Sequence, residues 1–275
     1  MARRRQQRKS NKLLKTAIFL IIFFGAWFFF RPPGRPSAPR AAHRPRYDNL
    51  TCGIPGAADT VIEREGYALG YLEKHEQPAW VQYVMTAEEV SHPAAKRRDD
   101  FRPDPEIPTG SATPRDYARS GYDRGHLAPA ADMSFSPRTL SESFYMSNMS
   151  PQLPQFNRGV WSRLEKQVRH FAAREKRIVV VTGPILPAEK SVTIGANHVT
   201  VPQYFYKAVY DTTPPEKMIA FVLPNEGTSA DLRTFAVTVD RVEELTGLDF
   251  FSALPQPEQE RLERTVTAES WDWLR

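Results

Sequence analysis

Cysteine is almost absent from this 275-residue chain: Cys52 stands alone, which excludes an intrachain disulfide and any thiol-rich metal site. Acidic residues are missing altogether from the first 46 positions, which carry twelve Lys and Arg. Beyond that tail, 25 basic residues stand against 32 acidic ones. The pI near 9.3 therefore reflects the tail, and contact with a polyanion must come from a local patch of the folded part. No internal repeat is visible, and strands and helices are interspersed without a regular βαβ alternation. A two-metal cluster of Asp and His is also missing, which counts against a phosphatase or phosphodiesterase for small esters.

What is present begins with a composition that can bury a core, 41% hydrophobic against 25% charged. The basic residues 1–15 lead into an uncharged apolar run, Thr16 to Phe30. A helix of that length covers about 22 Å at ~1.5 Å per residue, and Leu13, Leu14 and a snorkelling Lys15 extend it towards a membrane span. A buried core helix does not suit a terminal run this rich in Phe beside seven cations. Arg31-Pro32-Pro33 follows where a cleavable signal peptide would carry small residues. The reading is an uncleaved transmembrane signal-anchor at 16–30 behind a cytoplasmic 1–15. A Pro/Arg-rich linker follows at 31–46 and a folded domain at 47–275. Such an anchor places the domain outside the cytoplasm, in a periplasmic setting; a mitochondrial inner membrane is the alternative.

Within the domain, Tyr67–Leu72 and Ala79–Met85 read as a hairpin, and 92–118 as a polar loop holding a basic patch of Arg97, Arg98 and Arg102. Short helices are expected at Ser136–Ser143 and Thr238–Thr246. A longer one is expected from Phe156 to Lys176, where Val160, Leu164, Val168 and Phe171 share one face. Arg177–Gly183, ending in a glycine turn, Val199–Val209 and Met218–Leu223 read as strands. The fold class is α+β, with a largely antiparallel sheet.

Asp123-Arg124-Gly125-His126 places a carboxylate, a guanidinium, a flexible glycine and an imidazole in a row. A neutral imidazole accepts a proton from water, Arg124 offers a fork suited to phosphate, and Gly125 allows close backbone approach. The other five histidines carry no such neighbours and read as structural. Asn157 alone would be a helix-start residue, and Glu165 a solvated carboxylate pairing with Arg169 at i+4. An amide oxygen with waters and phosphate oxygens is also a reasonable Mg2+ ligand set, with Glu165 accepting hydrogen bonds from the waters.

The segment Tyr122 to Met133 resembles the signature of the DNA/RNA non-specific endonucleases. The resemblance continues through Phe144–Gln152, Phe156–Glu165, Val181–Pro184, Val201-Pro202 with Tyr204–Lys207, and Thr246–Phe251. It implies a ββα-metal (His-Me finger) site on a central antiparallel sheet flanked by helices, and a Mg2+-dependent, or Mn2+-dependent, endonuclease. DNA and RNA would be cut to 5′-phosphate ends. By the same resemblance His126 is the general base, Asn157 the metal ligand, and Glu165 a partner of the metal's waters. Arg124 and Asn148 support the site or the scissile phosphate. Asp123 stands on the substrate side with an upstream arginine, Arg97 or Arg98. The family often dimerises, so a homodimer is a candidate assembly. A membrane-tethered protein that binds nucleic acid without cutting is the other function considered, and a secreted toxin is set aside by the anchor.

Overall fold

The structure is a computed structural model that describes residues 47–189 and 192–274. The expected segments 1–15, 16–30 and 31–46 lie outside the described residues. Eleven strands follow one another among the described residues: β1 Thr60–Glu63, β2 Ala68–Leu72, β3 Gln77–Thr86, β4 Asp123–His126, β5 Met149–Gln152, β6 Arg177–Ile185, β7 Thr193–Ile194, β8 Val199–Thr200, β9 Tyr204–Asp211, β10 Lys217–Pro224 and β11 Ala236–Val237.

Seven of them form the main sheet in the order β1-β2-β3-β6-β9-β10-β11. Every neighbouring pair runs antiparallel, so the α+β expectation with an antiparallel sheet is met. The long central strands β3, β6 and β9 are buried on both faces, because each face carries its own apolar layer. Residues such as Val180, Phe205, Val209 and Phe221 meet Val160, Trp161, Leu164 and Phe171 on one face. Their alternate neighbours, Val179, Tyr206, Ala208 and Ala220, meet Val239, Val242, Phe250 and Leu262 on the other. Alternation of side chains across the pleat explains why one strand feeds both cores.

Several boundaries differ from the sequence reading for local reasons. Gly183 does not end a strand: it stays inside β6, opposite Tyr206, and a Cβ there would stand 2.4 Å from the Ala79 carbonyl oxygen. The glycine serves close strand approach rather than a turn. The stretch expected as one strand from Val199 to Val209 is two, β8 and β9, with Pro202 between them lacking the N–H a ladder needs. The helix expected from Phe156 to Lys176 is regular only over Ser162–Glu175. Its first turn, Phe156–Trp161, is kinked at Gly159 (φ −103°, ψ −108°). A helix at Gln256–Glu263 and a C-terminal tail that packs Trp271 and Trp273 on Phe171 at 4.6 and 5.4 Å complete the described domain.

Candidate active site

The four residues Asp123 to His126 form β4, which pairs antiparallel with β5 so that Gly125 faces Ser150 and His126 faces Met149. The chain then turns through Leu153 and enters the kinked turn and the helix Ser162–Glu175. Gly125 is required by the pairing: a Cβ would lie 2.2 Å from the buried Gln152 carboxamide. Its close approach is to β5 and not to a ligand.

β4, the kinked turn, the helix and the loop before β4 line an open cleft of about 540 Å³ containing Arg97, Asp99, Asp123, Arg124, His126, Asn157, Arg158, Ser162, Glu165 and Arg169. His126 is only 8% exposed. Its ring is set edge-on to Phe144 at 4.9 Å and tilted against Phe101 at 5.5 Å. Burial, with help from the Arg97 and Arg124 charges, pushes its pKa down to about 3 against the opposing pull of Asp99. The imidazole is therefore neutral at pH 7, and its Nε2 has no hydrogen-bond partner among the described residues.

Arg124 stacks its guanidinium on Phe101 at 4.1 Å, which leaves its N–H groups for the cleft. Arg97 also lines the cleft, over Phe144 at 5.2 Å, while donating from Nε to Asp99 Oδ1 at 2.9 Å. Arg98 lies elsewhere, in a neighbouring groove with Lys96, Asp100 and Ser141. Arg102, the third cation of the expected patch, is held by Asp100 and Ser141. The basic patch thus divides, and one member faces the candidate base.

Asp123, expected on the substrate side, has both its oxygens engaged. Arg158 donates to Oδ1 and Oδ2 at 2.7 and 2.8 Å, and Asn157 Nδ2 donates to Oδ2 at 2.9 Å. Burial raises this carboxyl, but the Arg158 and Asn157 hydrogen bonds outweigh it and hold the pKa below the usual range. Held in this way, the carboxylate also fixes the direction of the Asn157 amide. Asn148, by contrast, is not among the residues that line the cleft. Its amide accepts from the Ala128 N–H at 2.9 Å and donates to the Ala128 and Ser143 carbonyls, each at 2.9 Å, which fixes the chain just after His126.

Glu165 does not pair with Arg169. That arginine donates to Asp132 at 2.6 Å, and Asp132 also accepts from the Tyr83 hydroxyl at 2.9 Å. Burial raises the Glu165 pKa, and the Lys207 charge pulls it back down. Lys207, on the central strand β9, is fully buried, has no hydrogen-bond partner for Nζ among the described residues and lies 4.9 Å from the Trp161 ring. Sequence reasoning gave it no role. The available signal was a lysine in the middle of an otherwise apolar strand, Tyr204 to Asp211.

These residues suit a hard divalent cation. With Nδ2 on Asp123, the oxygen of Asn157 is the end of the amide left for a metal. Glu165 lines the same cleft. No cage of three His, Cys, Asp or Glu groups surrounds the cleft among the described residues. One amide oxygen and a nearby carboxylate match a cation that keeps several of its waters.

Two antiparallel strands that carry a buried imidazole, followed by a kinked turn that carries Asn157 and leads into a helix, make up the ββα-metal arrangement. The class it defines is a metal-dependent phosphodiester hydrolase. The model of the DNA/RNA non-specific endonuclease family matches residues 47–257. The mouse protein named mitochondrial nuclease EXOG is 33% identical, covering 82% of this chain and 67% of the relative. The mitochondrial nuclease of Saccharomyces cerevisiae is 34% identical, covering 79% and 73%. A chain in the crystal structure of the EndoG/EndoGI complex superposes with a TM-score of 0.68 at 33% identity, covering 76% of this chain and 92% of that one. The protein belongs to the DNA/RNA non-specific endonuclease family.

Proposed function

We propose that the cleft hydrolyses internal phosphodiester bonds of DNA and RNA with Mg2+, for which Mn2+ can substitute, leaving 5′-phosphate and 3′-hydroxyl ends. The observation that carries this reading is that His126, neutral and with Nε2 unpartnered, and Asn157, with its amide nitrogen held by Asp123, line one cleft. His126 accepts the proton of the attacking water. Arg124 and Arg97 stand beside it to meet negative charge as it grows on the phosphate oxygens. Glu165 accepts hydrogen bonds from water at the cleft, and Asp123 keeps the Asn157 oxygen turned towards the substrate. A divalent cation held by Asn157 would supply Lewis-acid stabilisation of the same developing charge. No group in this scheme needs a 2′-hydroxyl, and contacts to phosphate carry little sequence information, so both nucleic acids fit.

Tethering through 16–30 is our reading of the sequence alone; among the described residues no helix is long and apolar enough to cross a membrane. Of the compartments considered, the names of the mouse and yeast relatives favour the mitochondrial one.

The test is the full chain incubated with plasmid and with RNA, with Mg2+ or with EDTA, beside His126→Ala. Turnover of the variant should fall by roughly two to four orders of magnitude while substrate binding is kept, the usual range for loss of a general base. Cleavage near the wild-type rate would remove His126 from that role. Binding of nucleic acid by the wild type with no Mg2+-dependent cleavage would leave the reading of a binding protein.

A further inference from the structure

The face of the sheet opposite the cleft carries a second group of acidic side chains. The helix Val239–Thr246 and the helix Gln256–Glu263 pack through Val239, Val242 and Leu262 onto the core that also holds Phe250 and Phe251. The cleft helix belongs to the other core, through Val160, Trp161 and Leu164, so the sheet separates the two regions.

Asp240 and Glu243 stand three residues apart on one helix and therefore share a face. Glu263 ends the other helix. One carboxylate oxygen from each lies within 4.8 Å of the other two. Glu243 accepts the Phe250 N–H at 2.6 Å, which fixes its direction. Glu263 is the informative member: it is 4% exposed, and its Oε1 is buried without a hydrogen-bond partner among the described residues. A buried oxygen of this kind is destabilising unless something satisfies it.

No described cation does so. The arginines next to these residues in sequence pair outwards, Arg241 with Glu244, Arg261 with Glu258 and Arg264 with Glu260. Burial and the carboxylates around them push Glu243 up to about 7 and Glu263 up to about 8. Glu263 also closes the carbonyl end of its helix, where the backbone dipole favours positive charge.

We propose that Asp240, Glu243 and Glu263 form a Ca2+ site that joins the two helices on the face away from the cleft. Oxygens on a common Ca2+ at ~2.3–2.6 Å can stand up to about 5 Å apart, so all three ligands fit one shell as they lie. A Mg2+ shell at ~2.0–2.1 Å would demand a tighter octahedron, and that ion seldom takes an all-protein carboxylate cage. Asp240 and Glu243 are partly exposed, which gives the ion an entry path and room for water ligands.

The experiment is calcium titration calorimetry on the full chain, with thermal melts in CaCl2 and in EDTA, for the wild type and for Asn157→Ala, Glu263→Gln and Asp240→Asn. One binding event should persist in Asn157→Ala. It should weaken by about tenfold or more in both Glu263→Gln and Asp240→Asn, since affinity follows the number of charged ligands. The calcium-dependent rise in melting temperature should disappear with it. Titration at pH 7 in buffers of different ionisation enthalpy should show proton release on binding, because the ligands must deprotonate. Calcium affinity unchanged by both substitutions overturns the site. So does a wild-type melting temperature indifferent to calcium, which would mean that the three carboxyls share protons. Should Glu263→Gln fail to fold, Asp240→Asn, at a partly exposed position, decides between these outcomes.

Discussion

The side-chain amide of Asn157 donates to Asp123 across 34 residues of chain, at 2.9 Å, and Arg158 clamps the same carboxylate from the other side. The first residue of the signature strand therefore decides which atom of Asn157 faces the cleft. An asparagine amide presents oxygen or nitrogen according to its partners, and only the oxygen can hold a cation.

Asp123→Ala should accordingly weaken metal binding more than substrate binding. The Mg2+ concentration for half-maximal plasmid cleavage is expected to rise by about 10- to 100-fold, the usual cost of losing a group that orients a ligand. Much of the rate should return at high Mg2+. A metal titration of initial rates reads this directly, and an unchanged Mg2+ requirement would show that Asn157 keeps its direction without Asp123.

Arg97 and Arg98 are adjacent in sequence but line different grooves. Arg97→Ala should lower kcat/KM by roughly ten- to a hundredfold, because a charge-assisted hydrogen bond to phosphate contributes ~1.5–3 kcal/mol. Arg98→Ala should act mainly on KM and shrink as salt is added, as an exposed, screened contact does. Equal losses from both would place the two side chains on one stretch of substrate.

The chemistry of this site was more legible in the sequence than its support. Asp-Arg-Gly-His and the apolar face of the following helix stood out by residue type and spacing, whereas the roles of Asn157 and Glu165 came with the family resemblance. The strands β4 and β5 showed no apolar alternation, since one partner is Asp-Arg-Gly-His and the other Met-Ser-Pro-Gln. Their pairing comes from the tertiary fold. Asn148 read as a group near the phosphate because an isolated sequence cannot show that its amide closes on Ala128 and Ser143. The Glu165 to Arg169 pair is favourable by spacing, yet Arg169 reaches Asp132 instead, a choice set by a buried carboxylate 37 residues away. The helix Gln256–Glu263 was missed because it buries little beyond Leu262 and Glu263 and so carries almost no apolar period.

The burial of His126 makes a prediction about stability that is independent of turnover. In the folded chain its pKa lies at about 3, against 6.5 for the free side chain. Between those values the unfolded chain binds the proton and the folded one does not, so stability falls as pH falls through that window. The stability of the wild type relative to His126→Gln should drop by up to about 1.4 kcal/mol per pH unit from pH 6.5 towards 4. The raised carboxyls Glu243 and Glu263 have the opposite sign, but they are present in both proteins and cancel in the difference. Urea unfolding at pH 7, 6 and 5 measures it; a flat difference would mean that the imidazole is protonated within the fold.

Lys207 is the remaining charge beneath the cleft, fully buried on β9 with Nζ unpartnered. Burial lowers its pKa and the Glu165 charge raises it, so its positive form is maintained chiefly by that carboxylate. Lys207→Met keeps the length and the contact with Trp161 while deleting the charge. Fold and substrate affinity should survive, because an ammonium without a hydrogen bond gives up little when replaced by an apolar chain of similar volume. Glu165 would then lose the cation that favours its ionised form, and its pKa would rise further. If ionised Glu165 supports turnover, the acid limb of the kcat profile must move to higher pH in the variant, with the rate at high pH nearly restored. A rate loss that is uniform across pH would instead assign Lys207 to packing, and an unchanged profile would separate it from Glu165 altogether.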